Sequence, residues 1–263
     1  MTWSTLPALM YHSVSAVGGP LRDLAVPPER LAEQLAALTG AGYRLVGLTE
    51  ALDALEAGSA DRMVAITFDD GYRDFLTQGV PALQQAGAGA TLYASVGHLG
   101  GHAGWLGQWS PDFGPMLTWE ELAEVAASGV EIGNHSLIHH PLDVLTPAQL
   151  REEVVSSHDQ LEQRLQRRVR SFAYPHGYNS DLVRTVVEQS GHDNATEVGR
   201  RPHTPAERRF AVPRFQPTPD HTGADLVALI EGGPVLSAQL KQYAQPGWRM
   251  VRKLARKAGR NLT

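Results

Sequence analysis

Short apolar runs alternate with helical patterns along most of the chain, and this alternation limits the fold more than any other sequence feature. Runs typical of buried strands cover residues 7–11, 63–68, 90–96, 130–133, 171–174 and 192–196. Patterns typical of helices cover residues 28–38, 80–85, 118–129, 146–168 and 181–190. Strands separated by helices of this length imply a parallel sheet with right-handed crossovers. We therefore predict an α/β fold with six or seven such units in a single barrel-like domain.

The composition excludes several kinds of site. The 263 residues include no cysteine, which rules out disulfides, thiolate zinc sites and cysteine nucleophiles. Any bound metal must be held by His, Asp or Glu. Residues 1–248 carry 17 basic and 28 acidic groups, a balance that does not suit a nucleic-acid binder. No nucleic-acid partner is expected.

The last residues have a different character from this acidic body. Residues 249–263 contain six Lys or Arg and no acid, and one helical face of the tail carries Trp248, Val251, Leu254, Ala255 and Ala258. We predict a catalytic domain over residues 1–245 and a basic amphipathic C-terminal helix over residues 246–263. Such a helix can bind the surface of an anionic membrane, or it can dock on the acidic body. The first residues lack a signal-peptide pattern, so the expected location is cytoplasmic, with peripheral contact at the inner membrane surface if the tail binds lipid.

Two adjacent carboxylates, Asp69 and Asp70, end the strand MVAITF and precede Gly71. In an α/β barrel, functional sites are built at the carboxyl ends of the strands. Since side chains alternate along a strand, one carboxylate could bind a metal while the other accepts a proton. The alternative is a simple β-turn in which an Asp caps a helix.

The segment Asn134–His139, with the sequence NHSLIH, follows the strand VEIG. On a helical turn, His135 and His139 would lie on one face, within reach of one divalent ion. Together with Asp70 they would give three protein ligands and leave positions open for water and substrate, as in hydrolytic zinc sites. Taken alone, such a pair of histidines can equally be surface polarity.

A third segment, SFAYPHG over residues 171–177, again leads from a strand into a Pro/Gly turn. A turn of this kind can direct a backbone N–H at a developing oxyanion. A long loop near residues 97–117 is rich in glycine and aromatic residues, which is typical of a binding loop.

TFDDG, HSLIH and SFAYPHG, in this order and each at a strand end, resemble the polysaccharide deacetylase family (the nodulation-factor deacetylase homology domain, carbohydrate esterase family 4). The resemblance covers about residues 5–217 and includes PALMYHSVS and AVPRF. It implies a distorted (β/α)7 barrel that uses Zn²⁺, or Co²⁺ or Ni²⁺ in its place, to hydrolyse the N-acetyl amide of an amino sugar in a glycan. By position, it makes Asp69 the general base, Asp70, His135 and His139 the metal ligands, and the His176 N–H the oxyanion donor.

Two departures from the family pattern affect this interpretation. The third motif often carries an Arg where this chain has Ala173, and no Leu-x-His motif follows residue 200. The segment LMYH, which ends at His12, resembles circularly permuted members that act on poly-N-acetylglucosamine. We therefore predict that His12 is the general acid, the alternative being a residue that caps the first strand. Arg214 is the candidate for orienting Asp69, the alternative being a surface salt bridge.

The aromatic side chains Trp105, Trp109 and Trp119 could stack on sugar rings, although Trp119 is expected to pack within its helix. His98 and His102 are expected to be solvated loop residues rather than further ligands. Two other functions remain open from the sequence. One is an amidase of the same fold acting on a non-sugar amide or formamide, and the other is an inactive carbohydrate-binding module.

Overall fold

The computed structural model describes residues 5–232, which form a curled parallel sheet surrounded by helices. The strands are β1 (Ala8–Tyr11), β2 (Arg44–Val46), β3 (Met63–Phe68), β4 (Thr91–Ala94), β5 (Glu131–Asn134), β6 (Ser171–Ala173) and β7 (Asn194–Thr196). The helices are α1 (Pro28–Gly40), α2 (Leu48–Glu56), α3 (Val80–Ala86), α4 (Trp119–Ala127), α5 (Pro147–Arg151), α6 (Ser157–Leu165), α7 (Asp181–Gln189) and α8 (Gly223–Glu231).

The sheet follows the order β1-β3-β4-β5-β6-β7, with every pair parallel, and β2 pairs with the beginning of β3. The chain segment 212–215 closes the gap between the two ends of this order. Val212 forms a parallel bridge with Thr196 at the end of β7, and Phe215 forms one with Leu9 in β1. The predicted α/β fold and its distorted barrel architecture are confirmed.

Side chains alternate between the helix-facing and the interior side of the strands, as strand geometry requires. In β3, Val64, Ile66 and Phe68 pack in the large cluster under the helices, while Met63 and Ala65 belong to a separate interior cluster. Continuing this alternation past the end of β3 sends Asp69 to the interior. The alternation of the sheet therefore decides which carboxylate faces into the barrel.

Most of the predicted elements occur within one or two residues of their expected bounds, and Thr118 and Glu121 form the predicted capping box. The predicted helix over residues 146–168 is interrupted by a π turn at Glu152–Ser156 and ends at Leu165, because Gln166 adopts a left-handed conformation. The sequence interpretation missed three elements: β2, α2 and α8. Each is short, and α8 buries its apolar face against α1, a distant part of the chain.

None of the helices within residues 5–232 is long and apolar enough to cross a membrane. The predicted basic helix over residues 246–263 lies outside the described residues, as does the predicted domain boundary at residue 245. The membrane contact and the cytoplasmic location therefore stay predictions.

Close packing inside the barrel gives a first testable expectation at Gly133 in β5. A Cβ atom there would lie 2.4 Å from Cδ1 of Tyr93 and 3.1 Å from the carbonyl oxygen of Ser171. Overpacking of this kind typically costs about 1–3 kcal/mol. The variant Gly133→Ala should therefore lower the free energy of unfolding by about that amount, measured by urea denaturation.

The matched control is Gly40→Ala at the end of α1, where a Cβ would meet no atom within 4 Å. This variant should be neutral or slightly stabilised, because alanine restricts the unfolded chain. A Gly133→Ala variant as stable as Gly40→Ala would show that the barrel interior has room for a Cβ atom at residue 133.

Candidate active site

Asp69 and Asp70 lie at the carboxyl end of β3, and each side chain is almost completely buried. The backbone turns sharply here, with φ of 76° at Asp70 and 92° at Gly71. The carbonyl oxygen of Asp70 accepts a hydrogen bond from the N–H of Ser95, which follows β4. The turn therefore separates the two carboxylates and sends them to different neighbours.

Asp70 lies next to His135 and His139, the two histidines of the segment Asn134–His139. Oδ1 of Asp70 lies 3.4 Å from Nε2 of each ring. All three side chains are buried, and their candidate ligand atoms lie within 4.8 Å of one another. The structure thus brings together the three residues that the sequence interpretation grouped as metal ligands.

The local conformation differs from the prediction, however. His135 and His139 do not lie on a helical turn. They follow β5 in an irregular loop in which Ser136 has φ of 65° and His139 has φ of 60°. The left-handed residues curl the chain back on itself, which brings the two rings to 4.8 Å between their centroids.

The donor set fits a divalent cation. Within residues 5–232, Oδ1 of Asp70 has no hydrogen-bond partner, although it is buried between two imidazole nitrogens. An orphaned buried carboxylate oxygen is costly, and a cation bound to all three atoms would remove that cost. Nδ1 of His135 lies 2.8 Å from the carbonyl oxygen of Ala173. If that nitrogen donates the hydrogen bond, the Nε2 lone pair faces Asp70 and is free to bind a metal.

Electrostatics favours the ionised form of Asp70. Burial alone would raise its pKa, but His135 and His139 outweigh burial and hold the pKa well below its usual value. An ionised carboxylate with two imidazoles matches the nitrogen and oxygen ligands of open zinc sites.

Asp69 is held by Arg214, which the closing segment brings into the barrel. Nη1 and Nη2 of Arg214 donate to Oδ1 and Oδ2 of Asp69 at 2.6 and 2.7 Å. Nη1 also lies 2.9 Å from Oγ1 of Thr67. Arg214 is 0% exposed, so the alternative of a surface salt bridge is wrong. Burial alone would raise the pKa of Asp69, but Arg214 and then His135 lower it below its usual value.

His12 and His176 border the same cluster. His12 follows β1 and is partly exposed; burial lowers its pKa, while the charges of Asp70 and Asp69 oppose that shift. His176 has φ of 58° in the turn after β6, and its ring centroid lies 4.6 Å from that of His139. All seven predicted site residues therefore lie at one end of the barrel.

The aromatic loop contacts this cluster through Trp105. Its ring stacks on that of His139, with centroids 4.1 Å apart and planes 17° apart. His98 contacts Trp105 edge-on, with centroids 4.8 Å apart, and His102 is exposed. Trp109 is exposed, whereas Trp119 packs against the core with Arg164 over its ring, as predicted.

Sequence reasoning missed the contact of Trp105 with His139, because nothing in the glycine-rich loop indicates which aromatic residue turns inward. It also missed Tyr72, which is buried near Asp70 and has its pKa raised by burial and by that carboxylate. Tyr72 directly follows Asp69, Asp70 and Gly71, and this position was the sequence signal that could have identified it. Glu153, which contacts the histidine loop, had no local signal.

Comparison with known proteins gives a consistent picture. A family model described as polysaccharide deacetylase matches residues 57–195. The chain is 29% identical over 229 residues to the Bacillus subtilis protein YxkH, which carries a provisional polysaccharide deacetylase name; the match covers 86% of this chain and 76% of YxkH. It is 31% identical over 146 residues to the poly-beta-1,6-N-acetyl-D-glucosamine N-deacetylase of Escherichia coli, covering 51% of this chain and 21% of that enzyme.

The fold is similar to that of the Streptococcus pyogenes deacetylase PplD, with a TM-score of 0.74 and 23% identity. The match covers 86% of this chain and 98% of that structure.

The donor set predicts that added Zn²⁺ or Co²⁺ stabilises the protein. A ligand that binds only the folded state at 100 times its Kd adds about 2.7 kcal/mol, so the unfolding midpoint should rise with metal concentration. In His135→Ala this rise should disappear, because one of three ligands is gone. Differential scanning fluorimetry with and without metal measures the effect.

The control is His102→Ala, which removes an exposed histidine from the neighbouring loop. It should keep the full metal-dependent rise. A normal rise in His135→Ala, or full metal content after gel filtration, would contradict the assignment of His135 as a ligand.

Proposed function

The chain belongs to the polysaccharide deacetylase family, and we propose that it hydrolyses the N-acetyl group of an amino sugar in a glycan or glycoconjugate intermediate. One observation carries this proposal. A buried cluster of one carboxylate and two imidazoles lies beside a second carboxylate that an arginine holds separately. This arrangement provides a cation site and a proton acceptor at the same strand end, which amide hydrolysis requires.

Asp70, His135 and His139 would hold the cation, with Zn²⁺ the best match and Co²⁺ or Ni²⁺ able to replace it. Such a cation polarises a carbonyl group and lowers the pKa of water. Stacking of Trp105 on His139 and the contact of His135 with Ala173 keep the two imidazole rings in fixed orientations. When the rings are already held in place, cation binding does not cost the entropy of ordering them.

Asp69 is the proposed general base. Its low pKa keeps it ionised, and the two hydrogen bonds from Arg214 fix the plane of its carboxylate. Each oxygen keeps a lone pair for a proton from the attacking water. Arg214 thereby acts as a positioning residue and not as a proton donor.

His12 is the proposed general acid, and the His176 N–H is the proposed oxyanion donor. Breaking the amide C–N bond releases an amine, which is a poor leaving group unless it receives a proton. His12 stands at the end of β1, next to the closing segment, and interacts electrostatically with both aspartates. His176 has a left-handed φ in the tight turn after β6, and this backbone conformation sets the direction of its N–H group.

The first test is the reaction itself. Metal-loaded protein should release acetate from N-acetylglucosamine oligomers, with a product lighter by one acetyl group exchanged for hydrogen in the mass spectrum. Asp69→Asn should keep metal binding but lose about 10²–10⁴-fold in rate, because an amide cannot accept the proton. Asp70→Asn should instead weaken metal affinity.

The same assay with simple N-acetylated amines that lack a sugar gives the contrast. Faster hydrolysis of those amines than of the oligomers would overturn the sugar assignment. Identical behaviour of the two Asn variants in metal binding and in rate would overturn the division of roles between Asp69 and Asp70.

The role of His12 is tested by the leaving group. His12→Ala should slow hydrolysis of an N-acetyl amide by about 10²–10⁴-fold, because the amine needs a proton. Hydrolysis of an aryl acetate should change much less, since a phenolate leaves without one. Measuring kcat/KM on both substrates gives the comparison, and equal losses on both would assign His12 a structural role.

A further inference from the structure

The loop that carries the two histidines is held in a conformation it would not adopt alone. Ser136 and His139 both have left-handed φ, which is rare and strained for residues other than glycine. Such a conformation persists only when surrounding contacts fix it. The hydrogen bonds of the loop backbone identify those contacts.

Every backbone N–H from residue 136 to residue 139 has a side-chain acceptor. The Ser136 N–H donates to Oδ1 of Asn134, and the His139 N–H donates to Oγ of Ser136, at 2.9 and 3.1 Å. The Leu137 and Ile138 N–H groups both donate to Oε2 of Glu153, each at 3.0 Å. Glu153 therefore accepts two of these four N–H groups, and it is the only one of these acceptors outside the loop and its strand. On the carbonyl side, the Val96 and Gly97 N–H groups donate to the carbonyl oxygens of Ser136 and Leu137.

Glu153 has the properties of a structural anchor. It is 4% exposed, and Oε1 lies 3.0 Å from Nδ1 of His140. Burial would raise the pKa of Glu153, but His140 and the Ile138 N–H lower it below its usual value, so the carboxylate is ionised. A carboxylate that accepts from two successive N–H groups forms a strong, charge-assisted contact.

The helix is distorted at the point where Glu153 projects. A π turn covers Glu152–Ser156 between α5 and α6, within what the sequence predicted as one continuous helix. Single π turns inside α-helices occur frequently at functional sites. Oγ of Ser157, the first residue of α6, donates to the carbonyl oxygen of Glu153 at 2.6 Å.

We propose that Glu153 is a positioning residue for the cation site: by holding the Leu137 and Ile138 N–H groups, it fixes the spacing of His135 and His139. The proposal rests on the proposed function, because it assumes that these histidines bind a metal. It predicts that a charge outside the ligand set controls metal affinity through the loop backbone. A merely structural Glu153 would affect stability without changing the metal site.

The experiment measures Co²⁺ binding by the folded protein, using the visible absorption spectrum and isothermal titration. Glu153→Ala should weaken Co²⁺ binding by about 10–100-fold, as loss of a supporting contact around a metal site typically does, and should change the absorption bands. Glu153→Gln keeps an oxygen acceptor of the same reach and should recover part of the affinity. The matched control, Glu152→Ala, removes the exposed neighbouring carboxylate and should bind Co²⁺ normally.

Circular dichroism and the unfolding midpoint without metal accompany each titration. Unchanged Co²⁺ affinity and spectrum in folded Glu153→Ala would overturn the proposal. If the alanine variant does not fold, the Gln variant decides, and affinity equal to that of the unaltered protein overturns it. Failure of the unaltered protein to bind Co²⁺ would instead refute the proposed function, and the role of Glu153 with it.

Discussion

A fully buried ion pair joins the closing segment of the barrel to the end of β3. Burying two charges costs several kcal/mol per ion, and Arg214 and Asp69 offset this through two parallel hydrogen bonds, with further contacts from Arg214 to Thr67 and to the carbonyl oxygen of Glu197. Loss of one partner from such a pair typically costs about 3–5 kcal/mol. Arg214 lies in the segment 212–215, which bridges β7 and β1, so the segment that closes the barrel also brings Arg214 to Asp69.

Backbone strain is concentrated at this end of the barrel. Seven residues other than glycine within residues 5–232 have positive φ, and four of them, Asp70, Ser136, His139 and His176, belong to the site. Each such residue costs about 1–3 kcal/mol and persists only where other contacts fix it. The strained turns are fixed by hydrogen bonds from neighbouring elements, such as that from the Ser95 N–H to Asp70. Contacts from neighbouring elements therefore hold the strained backbone of the site.

The sequence predicted those parts of the molecule that depend on local pattern. The strands of the barrel and the grouping of Asp70 with the two histidines follow from periodicity and from the meeting of parallel strand ends. The helical turn predicted for His135 and His139 was wrong, because spacing alone cannot distinguish a helix from a curled loop that brings the same two residues together. The sequence left open whether Arg214 is buried, for a similar reason. Its burial depends on the pairing of Phe215 with Leu9, which lie more than 200 residues apart in the chain, and no local pattern indicates that pairing.

The interior of the barrel explains how the chain can lack an arginine in its third motif. Interior positions on several strands carry small residues. Ala65 and Ala173 share an interior cluster with Tyr93, and Gly133 packs against the Tyr93 ring. The guanidinium of Arg214 lies 5.6 Å from the centroid of that ring. The packed interior has a fixed volume, and Arg214 fills part of it beside Asp69. Residue 173 instead contributes its carbonyl oxygen, which lies beside Nδ1 of His135. In a closed barrel, residues on different strands can place a charged side chain at the same interior point. The absence of an arginine at its usual place in the sequence is therefore no sign that the interior lacks its charge.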